Sequence, residues 1–173
     1  MVGHVYFAHG KESGPWGRKI TALAEVAEAR GWTTVSPDYS HTGDPDERVK
    51  QLLGHEVPRN EPLVLVGSSM GGYVSAVASA SLQPQGLFLL APAVDIPGYE
   101  ADTTPTADLV EVVHGWQDSI IPAGVVVSWA ERHRVRLHML DSEHTLNDHL
   151  DWLCRAFDGF LVELGRCDGE TAD

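Results

Sequence analysis

The stretch Gly67-Ser68-Ser69-Met70-Gly71 constrains the fold of this chain more than any other segment. It directly follows the apolar run Leu63-Val64-Leu65-Val66. It leads into Gly72-Tyr73-Val74-Ser75-Ala76-Val77-Ala78, which reads as a helix. Where a strand turns sharply into a helix, the apex residue is held in a strained backbone conformation and its side chain projects from the sheet edge. Side chains two places to either side would collide with the neighbouring strand and helix, so glycine at 67 and 71 fits Ser69 at the apex. Small residues continue into the helix: Gly71, Ser75 and Ser79 fall four apart, as do Gly72, Ala76 and Ala80. Faces this small allow close helix–sheet contact.

Strands and helices alternate along the rest of the chain. His4-Val5-Tyr6-Phe7-Ala8 is a short apolar strand ending in the polar loop His9-Gly10-Lys11-Glu12-Ser13-Gly14. Pro15 suits the first turn of a helix, Ile20, Leu23, Ala24 and Ala27 recur at helical spacing, and Gly31 is a C-terminal stop. Residues 32–36 read as a second strand, 45–53 as a short helix and 63–66 as the third strand. Residues 86–90 read as the fourth strand, 109–113 as the fifth, 122–132 as a helix and 135–140 as the sixth strand. A last helix carries the apolar stripe Leu146, Leu150, Leu153, Phe157, Leu161 and Leu164. Continuous apolar strands separated by helices imply an α/β fold with a parallel sheet covered on both faces. Six parallel strands in the order 2-1-3-4-5-6 are expected. A length of 173 residues fits one domain, expected over 1–166 with a flexible tail at 167–173. The long irregular stretch 93–106 leaves the C-terminal end of a strand, where open α/β sheets place their sites, and loops of this length are usually functional or mobile.

Twelve Lys and Arg against 25 Asp and Glu leave a net charge of −13, which repels nucleic acid and anionic membranes. Cys154 and Cys167 match neither a disulfide framework nor a metal motif. No apolar run approaches the ~18 residues of a membrane span, and no basic and apolar leader opens the sequence; a cytoplasmic protein is the expectation.

The strand–serine–helix turn matches a nucleophile elbow. A serine hydroxyl is a poor nucleophile and needs a base to take its proton and a group to orient that base. Within this fold class the order along the chain is Ser, acid, His. After the fifth strand comes His114-Gly115-Trp116-Gln117-Asp118-Ser119-Ile120-Ile121-Pro122, and after the sixth comes Asp141-Ser142-Glu143-His144-Thr145. Together with His9-Gly10-Lys11 and the elbow, these segments resemble the α/β-hydrolase superfamily, in its compact, cap-less, esterase-like form.

The resemblance implies a single-domain α/β-hydrolase fold, with Ser69 as nucleophile, His144 as general base and acid, and Asp118 orienting the imidazole. It implies an oxyanion hole from the backbone N–H groups of Met70 and Lys11. Asp95 and Asp141 compete with Asp118. His138, read as a core or edge residue, His149, and His114 and His9, read as structural hydrogen bonders, compete with His144. Trp116, Tyr39 and Trp16 lie near strand ends and are candidates for lining a substrate pocket. His144, Asp148 and His149 lack the further ligands a metal site needs, and the chemistry requires no cofactor. Compared with the broader family, the strands that usually precede the first one are missing, no insertion is large enough for a lid, and Lys11 places a cation beside the oxyanion hole. The expected activity is hydrolysis of small, short-acyl carboxylic esters through an acyl-enzyme. A thioesterase, peptidase or acyltransferase on the same residues, or a non-catalytic binding module, are the alternatives.

Overall fold

The computed structural model describes residues 3–58 and 60–167. Six strands form one all-parallel sheet: β1 (His4–Ala8), β2 (Thr33–Val35), β3 (Leu63–Ser68), β4 (Gly86–Leu90), β5 (Leu109–Gly115) and β6 (Arg136–Leu140). Their spatial order is β2-β1-β3-β4-β5-β6, as the alternating pattern predicts. Five helices connect or cover them: α1 (Arg18–Ala29), α2 (Pro45–Gly54), α3 (Met70–Leu82), α4 (Ala123–His133) and α5 (Leu150–Cys167).

The two faces of the sheet feed two separate cores, as the two-residue period of a strand requires. Tyr6, Leu63, Leu65, Leu87, Leu89 and Val112 point to the side covered by α2, α3 and α4. Val5, Phe7, Val64, Val66, Phe88 and Val113 point to the side covered by α1 and α5. The apolar stripe of α5 supplies Leu153, Phe157, Leu161 and Leu164 to that second core, with Phe157 and Phe160 packed 5.1 and 5.2 Å from the Phe88 ring.

Some boundaries differ from those expected. Helix α1 starts at Arg18, because residues around Pro15 and Trp16 form a separate turn. The last helix starts at Leu150. Leu146 lies before it in a left-handed conformation (φ 55°), followed by a 3-10 turn over Asn147–His149, yet its side chain is still fully buried in the second core. Helix α5 runs through Cys167; the rest of the expected tail, 168–173, lies outside the described residues.

The connection from β4 to β5 is pinned along its length. Ala93 N–H donates to the Ser69 carbonyl at 3.0 Å and Ala101 N–H to the Tyr73 hydroxyl at 3.0 Å. Trp129 Nε1 donates to Thr103 Oγ1 at 3.0 Å, and Thr106 N–H to Ser79 Oγ at 2.9 Å. Ala93, Ile96 and Tyr99 of this connection line one cleft of the structure.

Where glycines leave the least room, the neighbour is backbone. A Cβ added at Gly71 would lie 1.8 Å from the Ala8 carbonyl oxygen, and one at Gly67 would lie 2.2 Å from the Gly71 oxygen. Gly71→Ala is therefore expected to destabilise the protein by more than about 3 kcal/mol, or to prevent folding, since the Ala8 carbonyl closes β1 and cannot retreat without disturbing the sheet. Gly159→Ala, exposed in α5 with open space around the added methyl, is expected to stabilise by about 0.5–1 kcal/mol. Urea unfolding of the two variants checks both.

Candidate active site

Ser69 joins β3 to α3 with φ 56° and ψ −118°, a backbone conformation that costs a non-glycine residue about 1–3 kcal/mol. The surrounding hydrogen bonds leave it no alternative. Its N–H donates to the Leu90 carbonyl at 2.9 Å, and its carbonyl accepts from Gly72 N at 2.8 Å and from Ala93 N. Met70 opens α3, and its N–H is one of the donors that a helix N-terminus leaves without an intrahelical partner.

The loop after β5 carries Asp118, whose carboxylate is fully buried. Its Oδ1 accepts from the Ile120 and Ile121 N–H groups, both at 2.8 Å, so the side chain is held by its own turn. Its Oδ2 lies 2.6 Å from His144 Nδ1. An ionised carboxylate only accepts, so Nδ1 carries the proton and Nε2 presents a lone pair. That Nε2 lies 2.9 Å from Ser69 Oγ, on the side where the serine hydroxyl can donate.

The His144 loop is fixed from three directions. Trp116 N–H and Gln117 N–H donate to the Leu140 and Ser142 carbonyls at 2.9 and 3.0 Å. Gly115 lets the two loops approach, since a Cβ there would lie 2.2 Å from the Ser142 oxygen. Lys19 Nζ donates to the Thr145 carbonyl at 2.7 Å.

The competing residues fall elsewhere. Asp95 pairs with Arg132, and Asp141 accepts from Gln117 Nε2 at 2.6 Å. His138 lies 3.0 Å from the Glu111 carboxylate, and His149 bonds the Asp141 carbonyl at 3.1 Å. His114, fully buried, donates from Nε2 to the Ile121 carbonyl at 3.0 Å and supports the Asp118 turn. No group of three or more metal-ligating side chains occurs among the described residues.

The loop after β1 is built around His9 and Arg48, both buried. Tyr39 N–H donates to His9 Nε2 at 3.0 Å, so Nδ1 holds the proton and donates to the Gly10 carbonyl at 2.8 Å. Arg48 Nη1 donates to the His9 and Gly10 carbonyls, each at 3.2 Å, and Nε to the Thr42 carbonyl at 2.9 Å. A trans peptide points its C=O and N–H in opposite directions. With the Gly10 oxygen drawn to Arg48 and His9, the Lys11 N–H is turned away from them. Position 10 stands against the serine: a Cβ there would lie 3.6 Å from Ser69 Cβ.

The Ser69 and His144 side chains open into a cleft of about 610 Å³. Ile20, Ile96, Tyr99 and Ile120 make its apolar walls. The three expected pocket aromatics are elsewhere. Tyr39 is fully buried, its ring 5.4 Å from His9 and under the Arg48 guanidinium, where burial pushes its phenol pKa up. Trp16 and Trp116 are half exposed and outside the cleft lining, because the loops that carry them turn their rings to solvent. Arg48 escaped the sequence reading, although its position four residues before Leu52 on an amphipathic helix marks the core-facing side. The stretch 93–106 stood out as a whole, but nothing within it marked Ile96 and Tyr99 as the residues that wall the cleft.

Burial lowers the pKa of both His9 and His114 from the ordinary value of 6.5. In the unfolded chain both histidines protonate near 6.5, while the folded protein resists protonation until lower pH. The unfolded state therefore gains protons first, and stability is lost as the pH falls from about 6.5 towards the lowered values. Urea midpoints are expected to be lower at about pH 5 than at about pH 7.5, with a smaller difference in His9→Gln.

No family model and no curated protein matches this sequence. Solved structures do. A protein from Xanthomonas campestris assigned to the alpha/beta hydrolase superfamily is 37% identical, with a TM-score of 0.83, covering 93% of this chain and 99% of that one. Est1E from Butyrivibrio proteoclasticus is 20% identical with a TM-score of 0.78, covering 94% and 88%. XC6422 from Xanthomonas campestris, a serine hydrolase without a lid, is 22% identical with a TM-score of 0.72, covering 94% and 81%. With the first of these matched over nearly the whole length of both chains, and with the same single-domain parallel sheet, this protein belongs to the α/β-hydrolase superfamily and is a hydrolase of that class.

Proposed function

We propose that the protein is a serine hydrolase that cleaves small carboxylic esters of short acyl chain through an acyl-enzyme. The observation that carries this reading is the hydrogen-bonded sequence Ser69 Oγ, His144 Nε2, His144 Nδ1, Asp118 Oδ2, at 2.9 and 2.6 Å. Est1E, which shares this fold, has also been determined with ferulic acid bound, and a small carboxylic acid is the kind of product this reading expects.

In this reading Ser69 Oγ attacks the ester carbonyl as His144 Nε2 takes its proton. The imidazolium that forms is stabilised by the buried Asp118 carboxylate and then protonates the leaving alkoxide. Water activated by the same Nε2 attacks the acyl-enzyme, and the serine is restored. The negative charge on the carbonyl oxygen is met by the Met70 and Lys11 N–H groups. Arg48 and His9 act through the latter, because they fix the peptide that carries it.

A fluorophosphonate is expected to label the native protein and not Ser69→Ala; label retained in that variant would move the nucleophile elsewhere. Asp118→Asn is expected to lower kcat by about 10⁴, since an amide stabilises the wrong imidazole tautomer. An unaffected kcat would remove Asp118 from the mechanism. Arg48→Met is expected to lower kcat about 10- to 100-fold with little change in KM, and Arg48→Lys to recover part of it by restoring one donor to the Gly10 carbonyl. Equal loss in KM and kcat, or no recovery, would reduce Arg48 to a packing role.

A further inference from the structure

The cleft reverses the charge of the molecule around it. The chain has 12 basic and 25 acidic residues, yet the cleft is lined by the cations Lys11, Arg18 and Lys19 and by one acid, Glu12. Asp118 lies behind His144, its two oxygens already accepting three hydrogen bonds.

No carboxylate among the described residues lies within ion-pair distance of these cations, and Asp118 acts on Lys19 only from farther away. Among the described residues, none of the ion pairs involves Lys11, Arg18 or Lys19. Lys19 spends one donor on the Thr145 carbonyl, a neutral acceptor, and keeps others for a ligand. Its burial lowers its pKa to about 8, opposed by the Asp118 charge, so it remains a cation at neutral pH. Arg18 and Lys19 also stand in the first turn of α1, which has no acidic residue and no capping side chain. Cations at that end oppose the helix dipole, and an anion held between them would relieve the conflict.

Resting on the ester-hydrolase reading, we propose that this cleft selects esters that carry an anionic group, held by Lys11, Arg18 and Lys19 while the carbonyl lies at Ser69. A carboxylate is the simplest such group. It can belong to the acyl side, as in a half-ester of a dicarboxylic acid, or to the leaving group. The apolar walls formed by Ile20, Ile96 and Ile120 accommodate the methylene or ring spacer between ester and charge.

Matched ester pairs test this. On the acyl side, 4-nitrophenyl hemiadipate is compared with the neutral 4-nitrophenyl adipamate. On the leaving-group side, 4-carboxyphenyl butyrate is compared with 4-acetylphenyl butyrate. In at least one pair kcat/KM for the anion is expected to exceed that of its neutral partner by about tenfold at low salt, and the pair that shows it locates the charge. The ratio is expected to fall towards one at about 0.5 M salt and in the double variant Arg18→Gln/Lys19→Gln. The ratio is the readout because damage common to both substrates cancels. Turnover of the neutral esters with no anionic preference in either pair overturns charge selection and leaves the hydrolase reading standing. A preference that survives the double variant overturns the assignment to these cations. No turnover of any of the four esters removes the ester-hydrolase reading, and this inference with it.

Discussion

Everything in this site depends on how closely the backbone of α3 approaches the backbone of β1. Gly71 touches the Ala8 carbonyl so tightly that a single methyl group has no room. The same contact puts the start of α3 beside the loop that follows Ala8. Ser69 and Gly10 are then neighbours although 59 positions separate them in the chain. Without that approach the serine would still project from a turn, but the amides of the β1 loop would lie too far away for the oxyanion role proposed for them.

Two buried charged side chains then fix the loops around this contact, in different ways. Asp118 is satisfied locally by the amides of its own turn and uses its remaining oxygen to set the proton on His144. Arg48 reaches across from α2 and is satisfied by three main-chain carbonyls. Burying an ion costs several kcal/mol unless its hydrogen-bonding capacity is met, and both side chains meet it with backbone groups. Such arrangements hold loop geometry more firmly than packing alone, because any shift leaves a charge without partners.

The fold was legible in the chain because its signals are local. Apolar runs bounded by glycine or proline marked the strands, and the glycines around Ser69 marked the turn. Asp118 and His144 could be singled out because each follows a strand, in the order this class uses. The walls of the cleft could not be read in the same way. Ile96 and Tyr99 from the β4–β5 connection meet Ile120 from the loop after β5, and no spacing along the chain encodes that meeting. Tyr39 shows the reverse failure. An aromatic after a strand looks like a pocket residue, but a buried arginine and histidine beneath the β1 loop needed a ring to pack against, and it went there.

The anchored β4–β5 connection has a kinetic meaning. Bonded to Ser69 at Ala93, to Tyr73 at Ala101, to Trp129 at Thr103 and to Ser79 at Thr106, it is tied back to the body of the fold on both sides of residues 94–100, which leaves little slack for a closing flap. Under the proposed chemistry a covalently held acyl group would stay in continuous exchange with bulk solvent. Its fate would then be decided by whichever nucleophile diffuses in at the highest concentration, so water would prevail over dilute alcohols by mass action and not by exclusion.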